Sequence, residues 1–393
     1  MDVFLHIPKA SGTTIRTIIS REYGAAATAY YEPETENYEH HDSPEAYLTT
    51  RLAEGNVRLI TGHMRYGVHE FLRQPCRYFS MVRDPIERAL SEYFYAFSYP
   101  PHRYRDQIVS GNMTFADFLI AESMPPAEAI SRFLGGWFVG LNSSYEAALY
   151  HLRHGIATVG TSERFDESML LIARDFGWRP PLYLPRNVTR LDDETRDQRR
   201  RAREEAGVFL RAQFASDYQI YDAVDDLLSK RITSLGAAFE RALGNYRELQ
   251  GELADFDNPL VFDEYNLEQD DDLPPEAARL YGSAPYRALT DYLRSEPVQP
   301  QKRRSFVGYF DGRSSRDLTG WAMDLSRSTP VTVTLRHHNQ VIETRLSNIP
   351  RPDVAATGFP ATPCGFRFQL DPPVEDMAGF TVCFEDSFVC LQS

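Results

Sequence analysis

Several features that mark common protein classes are scarce or missing in this chain of 393 residues. The four cysteines have neither the C-x-x-C pairs of a zinc site nor the density of a disulfide framework, so buried free thiols are expected. No apolar run approaches the roughly 20 residues that cross a bilayer, and no secretory leader precedes the first strand-like segment. The net charge of −14 argues against a general binder of nucleic acid or anionic membranes. The composition therefore predicts a soluble cytoplasmic protein of two or three domains.

A loop near the N-terminus carries the strongest chemical signal. The apolar run 3–7 has strand length, and isoleucines at positions 15, 18 and 19 share one helical face. Between them lie Lys9-Ala10-Ser11-Gly12-Thr13-Thr14. Because a helix N-terminus exposes unpaired N–H groups and a positive dipole, this unit predicts a phosphate- or sulfate-binding loop. The lysine precedes the glycine, unlike the Walker A order, and a plain turn with a solvated lysine is the alternative.

A second strand-to-helix unit occupies residues 78–94. Asp84 is a predicted N-cap, a proline takes the first helical position, and Glu87 completes a capping box. Arg83 ends the strand, and Ser91 lies roughly 10 Å along the helix at 1.5 Å per residue, so the two side chains can clasp a phosphate. A capped surface helix with solvated arginines is the alternative.

A histidine next to a glycine follows the strand-like run 57–61. Open α/β sheets gather their chemistry at the carboxyl ends of strands, and His63 occupies such a position. Imidazole suits general-base work near neutral pH, although a lone histidine in a loop is more often structural. His69 is a rival for the same role.

These motifs resemble those of the sulfotransferases that use 3′-phosphoadenosine 5′-phosphosulfate (PAPS). His-Ile-Pro-Lys-x-x-Gly-Thr-Thr is similar to their 5′-phosphosulfate loop, and Arg-Asp-Pro-x-x-Arg-x-x-Ser-x-Tyr is similar to their 3′-phosphate motif. The resemblance implies catalytic roles for His63, as in the uronyl and heparan sulfate 2-O-sulfotransferase-like branch, and for Lys9. No metal is required. The resemblance implies that the donor is held by Lys9, Ala10, Ser11, Gly12, Thr13, Thr14, Arg83, Ser91, Arg186 and Asn187.

The resemblance covers residues 1 to about 230 and implies a three-layer, P-loop-like α/β fold with a mainly parallel sheet, as alternating strands and helices also indicate. Beyond residue 305 the apolar period becomes two, which predicts an all-β sandwich. The predicted boundaries are 1–232 for the sulfotransferase domain, 233–304 for a long helix and acidic connector, and 305–393 for the sandwich. The sandwich resembles accessory β-domains of bacterial glycan-processing enzymes in the segments Gly308–Gly312, Gly320–Asp324 and Arg351–Asp353.

Apolar residues recur at steps of three or four from position 224 to position 253, which predicts one long amphipathic helix or two helices end to end. This helix is expected to pack on its own domain. A homodimer through residues 221–253 is a second hypothesis.

The predicted activity is in-line transfer of the sulfuryl group of PAPS to a hydroxyl of a carbohydrate or glycoconjugate, with His63 as general base. Two alternatives remain: a nucleotide-dependent kinase on a related fold, and a catalytically silent glycan-binding scaffold. A set of arginines could receive an acidic sugar chain, or could be solvated surface residues: Arg65, Arg73, Arg103 and Arg105.

Overall fold

The computed structural model describes most of the chain. The described residues are 1–31, 44–121, 129–136, 144–184, 193–256, 275–295, 304–327, 329–338, 340–374, 376–377, 379–385, 387 and 389–391. No helix within these ranges is long and apolar enough to cross a membrane.

A five-stranded parallel sheet forms the centre of the N-terminal part. Its strands are β1 (Asp2–Leu5), β2 (Thr28–Tyr30), β3 (Leu59–Gly62), β4 (Arg77–Val82) and β5 (Ile156–Thr161). They lie in the order β2-β3-β1-β4-β5, and every neighbouring pair is parallel. β1 and β3 are buried along their whole length, as expected for short apolar strands covered on both faces. The prediction of a mainly parallel α/β sheet is confirmed.

Helices cover both faces of this sheet. They are α1 (Gly12–Tyr23), α2 (Pro44–Ala53), α3 (Val68–Leu72), α4 (Pro85–Ser98), α5 (Arg105–Val109), α6 (Phe115–Ala121), α7 (Ala129–Gly135), α8 (Ser144–His154) and α9 (Phe165–Phe176). On one face, Phe4 and Phe79 pack with apolar residues of α1 and α9. On the other face, Val3 and Tyr78 pack with residues of α7 and α8. The alternation of strand side chains between two faces thus produces the three layers.

Two long helices, α10 (Asp193–Gln213) and α11 (Ala215–Ala254), follow. α11 is broken at Gly236, whose φ of 58° and ψ of −145° are non-helical, so the second of the two predicted arrangements is present. Beyond the break, Phe239, Leu243 and Tyr246 are buried in the same core as the sheet. This core also receives residues of α12 (Pro275–Tyr281) and α13 (Ala284–Arg294). The apolar face of the helix therefore packs on its own chain.

The C-terminal part is a pair of antiparallel sheets. Its elements are β6 (Phe306–Arg313), β7 (Asp317–Asp324), β8 (Thr329–Pro330), β9 (Thr332–His337), β10 (Gln340–Leu346), α14 (Pro352–Ala356), β11 (Gly365–Gln369) and β12 (Phe380–Phe384). One sheet has the order β10-β9-β12, and the other has β11-β7-β6 with β8 paired to β7. Apolar residues from both sheets form one core, which includes Phe310, Val333, Phe368 and Phe384. The β-rich C-terminal unit is confirmed.

The expectation of free cysteines is wrong for two of the four. Cys383 and Cys390 form a disulfide, while Cys76 and Cys364 are buried free thiols. β12 carries Cys383, and Cys390 pairs with it across an isolated bridge, so the two meet through strand pairing that their spacing alone did not reveal.

Buried polar contacts join the two parts of the molecule. The Nε2–H of His69 in α3 donates to the carbonyl of Phe306 in β6 at 3.0 Å, and Nδ1 accepts from the Tyr78 hydroxyl at 2.7 Å. The Tyr66 hydroxyl donates to the carbonyl of Arg304 at 3.1 Å. Because a carbonyl only accepts, the tautomer of His69 is fixed, and this histidine serves as a structural bridge. Burial lowers its pKa to about 4.

Candidate functional site

The loop between β1 and α1 has an unusual backbone. Lys9 and Ser11 both adopt positive φ, 64° and 60°, in the left-handed region that side chains other than glycine rarely occupy. Ser11 is the N-cap residue, but its hydroxyl does not cap the helix. The hydroxyl instead donates to the Ser162 hydroxyl at 3.0 Å. The first turn of α1 contains no acidic residue, so no carboxylate of this turn offsets the positive end of the helix dipole.

Gly12 allows an imidazole to rest against the start of α1. A Cβ at this position would lie 1.7 Å from His6 Nε2 and 2.1 Å from His6 Cδ2. The His6 ring in turn packs on the His63 ring with a centroid separation of 4.3 Å. Burial, followed by the nearby His63, Arg16 and Lys9, lowers the pKa of His6 to about 3, so His6 is neutral at ordinary pH.

His63 follows directly on β3, which ends at Gly62. Its Nδ1–H donates to the backbone carbonyl of His6 at 2.9 Å. A carbonyl oxygen cannot donate, so Nδ1 carries a proton, and in the neutral ring Nε2 presents its lone pair. The backbone of one loop therefore selects the tautomer of the histidine on the next loop.

Arg83 leaves the end of β4 beside the same loop. Its Nη1–H donates to the carbonyl of Lys9 at 3.3 Å. The following helix begins as the sequence predicts: Asp84 is the N-cap and accepts from the Glu87 N–H at 2.9 Å. The Asp84 N–H donates to Glu163 after β5 at 3.1 Å. These contacts connect the loops after β1, β4 and β5 at one edge of the sheet.

Positive charge is concentrated here although the whole chain is acidic. The Lys9 ammonium lies over the Tyr95 ring, 3.3 Å from its centroid. Burial lowers the pKa of Lys9, Glu92 opposes this shift, and the nearby Arg83 and Arg88 add to it. Burial likewise lowers the pKa of Arg83 and of Arg88. Partly desolvated cations that repel one another are complementary to a multiply charged anion.

Tyrosines of α11 support these loops. The Tyr218 hydroxyl donates to Asp84 Oδ2 at 3.1 Å, and the Tyr221 hydroxyl donates to Glu163 Oε2 at 3.1 Å. Asp217, which precedes Tyr218 in α11, caps α7 by accepting from the backbone N–H of Ser131 at 2.9 Å. The segment 217–221 of α11 therefore supports the loops that form the candidate site.

Sequence reasoning placed most of the site but missed its aromatic part. Tyr95 lies one helical turn beyond Ser91, and this spacing was the available signal. The structure brings the loop 9–14 and the residues His63 and Arg83 to one sheet edge, and it places Ser91, partly buried, on α4. Arg186 and Asn187 lie outside the described residues, as do the paired histidines at positions 40 and 41.

Three of the four candidate arginines make contacts of different kinds. Arg73 lies over the Phe359 ring of the β unit, 5.3 Å from its centroid, and Arg103 lies over the Tyr104 ring at 4.6 Å. Arg105 pairs with the exposed Asp106 at 3.7 Å. Among the described residues, no three His, Cys, Asp or Glu side chains are grouped as a metal site.

Comparison with known proteins gives one match in sequence. A model described as "Sulfotransferase family" matches residues 3–134, a range that contains the loop 9–14, His63, Arg83 and Ser91. No curated protein matches the chain.

Among solved structures, mouse sulfotransferase SULT7A1 complexed with PAP is similar at 17% identity with a TM-score of 0.28. The match covers 51% of this chain and 62% of that enzyme, so the chain spans less than two thirds of its length. A structural similarity with so low a TM-score carries no argument about the fold or the function of this chain. Residues 3–134, which supply the first four strands and most of the candidate site, are thus similar to the sulfotransferase family.

Proposed function

We propose that the protein is a PAPS-dependent sulfotransferase that sulfates a hydroxyl group of a carbohydrate or glycoconjugate. The observation that carries this proposal is the meeting of Lys9 and Arg83, from different strands, beside an uncapped helix start. The sheet order supports it, because β1 lies between β3 and β4 and chemistry collects where the strand order reverses.

The residues present fit the phosphosulfate donor. The Lys9 ammonium and the positive end of the α1 dipole suit an anion, and the Ser11 hydroxyl does not cap this helix start. In this proposal Arg83 and Ser91 bind the 3′-phosphate, which ATP lacks. The resemblance assigns Arg186 and Asn187 to nucleotide binding as well. The donor supplies a sulfuryl group already bonded to a good leaving group. Lys9 leaves the Tyr95 ring and stabilises the charge that grows on the phosphate oxygen.

His63 acts as the general base. The acceptor hydroxyl gives its proton to Nε2, while its oxygen forms the new S–O bond and the S–O bond to the nucleotide breaks. The hydrogen bond from Nδ1–H to the His6 carbonyl supports this role, because in the neutral ring it leaves the lone pair on Nε2. The neutral His6 ring beside it adds no second positive charge when His63 is protonated.

An exposed aromatic pair supports a sugar as the acceptor. Tyr95 and Tyr99 are 42% and 44% exposed, and their rings stack with centroids 5.2 Å apart. Because Tyr95 also contacts Lys9, this platform lies beside the anion site. Flat aromatic faces suit the C–H faces of sugar rings. A uronyl acceptor, as in the branch that Gly62-His63 resembles, is the first to screen.

Two further proposals concern the setting of the protein. We infer a bacterial, cytoplasmic protein from the resemblance, although the Cys383–Cys390 disulfide is of a kind that is rare in the cytosol. A homodimer through residues 221–253 remains a hypothesis that light scattering tests.

Calorimetric titration with 3′-phosphoadenosine 5′-phosphate (PAP), with ADP as the comparison, tests the donor class. We expect PAP to bind at least tenfold more tightly than ADP, since a bidentate charged contact contributes about 1.5–3 kcal/mol. Arg83→Ala should remove this preference, and Arg241→Ala, at an exposed arginine of α11, should keep it. Equal binding of ADP would favour the kinase alternative, and no nucleotide binding would favour the glycan-binding scaffold.

The base assignment needs a separate measurement. We expect His63→Gln to slow formation of PAP from PAPS by about 10²–10⁴-fold with uronate-containing and neutral polysaccharides as acceptors. The affinity for PAP should stay within about twofold, because general-base catalysis acts in the transition state. Normal turnover of this variant would refute His63 as the base while leaving the donor class intact.

A further inference from the structure

A cavity of about 420 Å³ lies between α3 of the N-terminal part and the C-terminal β unit. Each of the three β-unit segments singled out in the sequence supplies part of its wall. The segment 308–312 supplies Tyr309 and Asp311, the segment 320–324 supplies Trp321, and the segment 351–353 supplies Arg351 and Asp353. The sulfuryl-transfer chemistry uses none of these residues.

The charged part of this wall is rigid. Arg351 donates from Nε to Asp353 Oδ1 at 2.8 Å and from Nη1 to Asp311. The hydrogen bond with Arg351 lowers the pKa of Asp353 to about 2, so this carboxylate stays ionised. The two carboxylates and one guanidinium leave one net negative charge. Each carboxylate oxygen has more acceptor capacity than one arginine uses, so the group can also accept from ligand hydroxyls.

Another part of the cavity wall is aromatic and apolar. Trp321 packs at an angle on Phe359, with centroids 5.0 Å apart and planes inclined by 55°. Tyr309 is 46% exposed beside them. Arg73 covers Phe359 from the side of α3. Aromatic faces next to fixed hydrogen-bond acceptors form an amphipathic surface of the kind that binds hydroxyl-rich rings.

Glu70 of α3 also lines the cavity. Its Oε1 is buried and has no hydrogen-bond partner within the described ranges. Burial raises the pKa of this carboxyl well above its usual range, so it can donate as well as accept a hydrogen bond. A buried polar atom without a partner costs about 1–3 kcal/mol, which a ligand hydroxyl can recover. Glu70 and Phe359 also line an adjoining cavity of about 320 Å³ beside α2, which lengthens the available groove.

We propose that this interdomain cavity binds a neutral, hydroxyl-rich sugar. The aromatic faces of Trp321 and Tyr309 receive the ring, the carboxylates of Asp311 and Asp353 accept from its hydroxyls, and the buried Glu70 completes the polar contacts. The ionised carboxylates of Asp311 and Asp353 disfavour uronates and sulfated sugars at this part of the wall. The site is separate from the proposed nucleotide site and is independent of sulfuryl transfer.

Saturation-transfer NMR and tryptophan fluorescence on the full chain, without nucleotide, test this proposal. The probes are cellobiose, N,N′-diacetylchitobiose and the anionic counterpart cellobiouronate. We expect at least one neutral disaccharide to bind and the anionic one to bind more weakly. Trp321→Ala should weaken that binding about tenfold through loss of the aromatic contact.

Two further variants keep the test valid if Trp321→Ala does not fold. Glu70→Gln keeps a donor and an acceptor and should retain binding within about threefold, whereas Glu70→Ala should lose about tenfold. Ile342→Ala, at a 54% exposed residue of β10 outside the cavity, is the matched control and should bind as wild type. Failure of both neutral probes, tighter binding of cellobiouronate, or equal binding by wild type and Glu70→Ala would show that the Arg351 cluster only fastens the β unit.

Discussion

Replacing Gly12 by alanine should test the packing at the centre of the candidate site. The added Cβ would lie 1.7 Å from His6 Nε2, whereas real Cβ contacts are essentially never below 3.0 Å. The imidazole must therefore move by more than 1 Å, but it is packed between Phe4 and His63. Overpacking of this kind costs about 1–3 kcal/mol, and we expect the upper end.

Gly244 in α11 provides the matched control. It is an exposed helical glycine, and a Cβ there would meet nothing within 4 Å. Gly244 lies within α11, where alanine gains about 1 kcal/mol in helix propensity, whereas Gly12 is the first residue of α1 and gains less. The difference between the two substitutions, corrected for this gain, reports the steric overlap with His6. We expect Gly12→Ala to lower the free energy of unfolding by about 2 kcal/mol and Gly244→Ala to raise it by about 1 kcal/mol.

Urea denaturation followed by circular dichroism measures both values. The double variant His6→Ala/Gly12→Ala completes a double-mutant cycle, because the overlap involves the His6 ring. Removal of the ring should relieve most of the cost of the alanine, and the His6 carbonyl that orients His63 remains. If Gly12→Ala and Gly244→Ala changed stability alike, the close approach of His6 to α1 would be refuted.

Three other outcomes follow from the structure. Tyr95→Ala should tighten PAP binding by about two- to fivefold in calorimetry, because Lys9 loses a competing cation–π contact. Tyr95→Phe keeps an aromatic ring and should bind PAP as wild type does. Weaker binding by Tyr95→Ala would contradict this prediction. Burial raises the pKa of Asp217 to about 6, so the folded state holds this proton more tightly than the unfolded state. The free energy of unfolding should therefore fall by up to about 3 kcal/mol between about pH 4 and pH 6, and a pH series should show a flatter profile for Asp217→Asn. His69→Ala should cost about 3 kcal/mol of stability by removing the bridge to Phe306, with unchanged PAP affinity; a loss of PAP affinity would place this histidine in the site.

Local signals in the sequence determined the elements of the site. The N-cap at Asp84, which accepts from the Glu87 N–H, involves residues three apart, so it is readable without a fold. The other half of the predicted capping box is not formed, because the Asp84 N–H donates to Glu163 and the Glu87 carboxylate pairs with Arg199. The apolar runs 3–7 and 57–61 predict buried strands for the same reason, and the strands lie at Asp2–Leu5 and Leu59–Gly62. The order along the chain of the two motifs that predict anion binding was enough for the resemblance to the sulfotransferases.

The tertiary structure decided which of these elements meet. The contacts of His63 with His6, of Ser11 with Ser162 and of Arg83 with Lys9 depend on β1 lying between β3 and β4, a pairing of strands far apart in the chain. The Cys383–Cys390 pairing and the interdomain cavity depend on strand register and domain docking in the same way. Local hydrogen bonds and the periodic spacing of apolar residues determine where helices and strands form. The contacts between these helices and strands depend on how their buried faces pack.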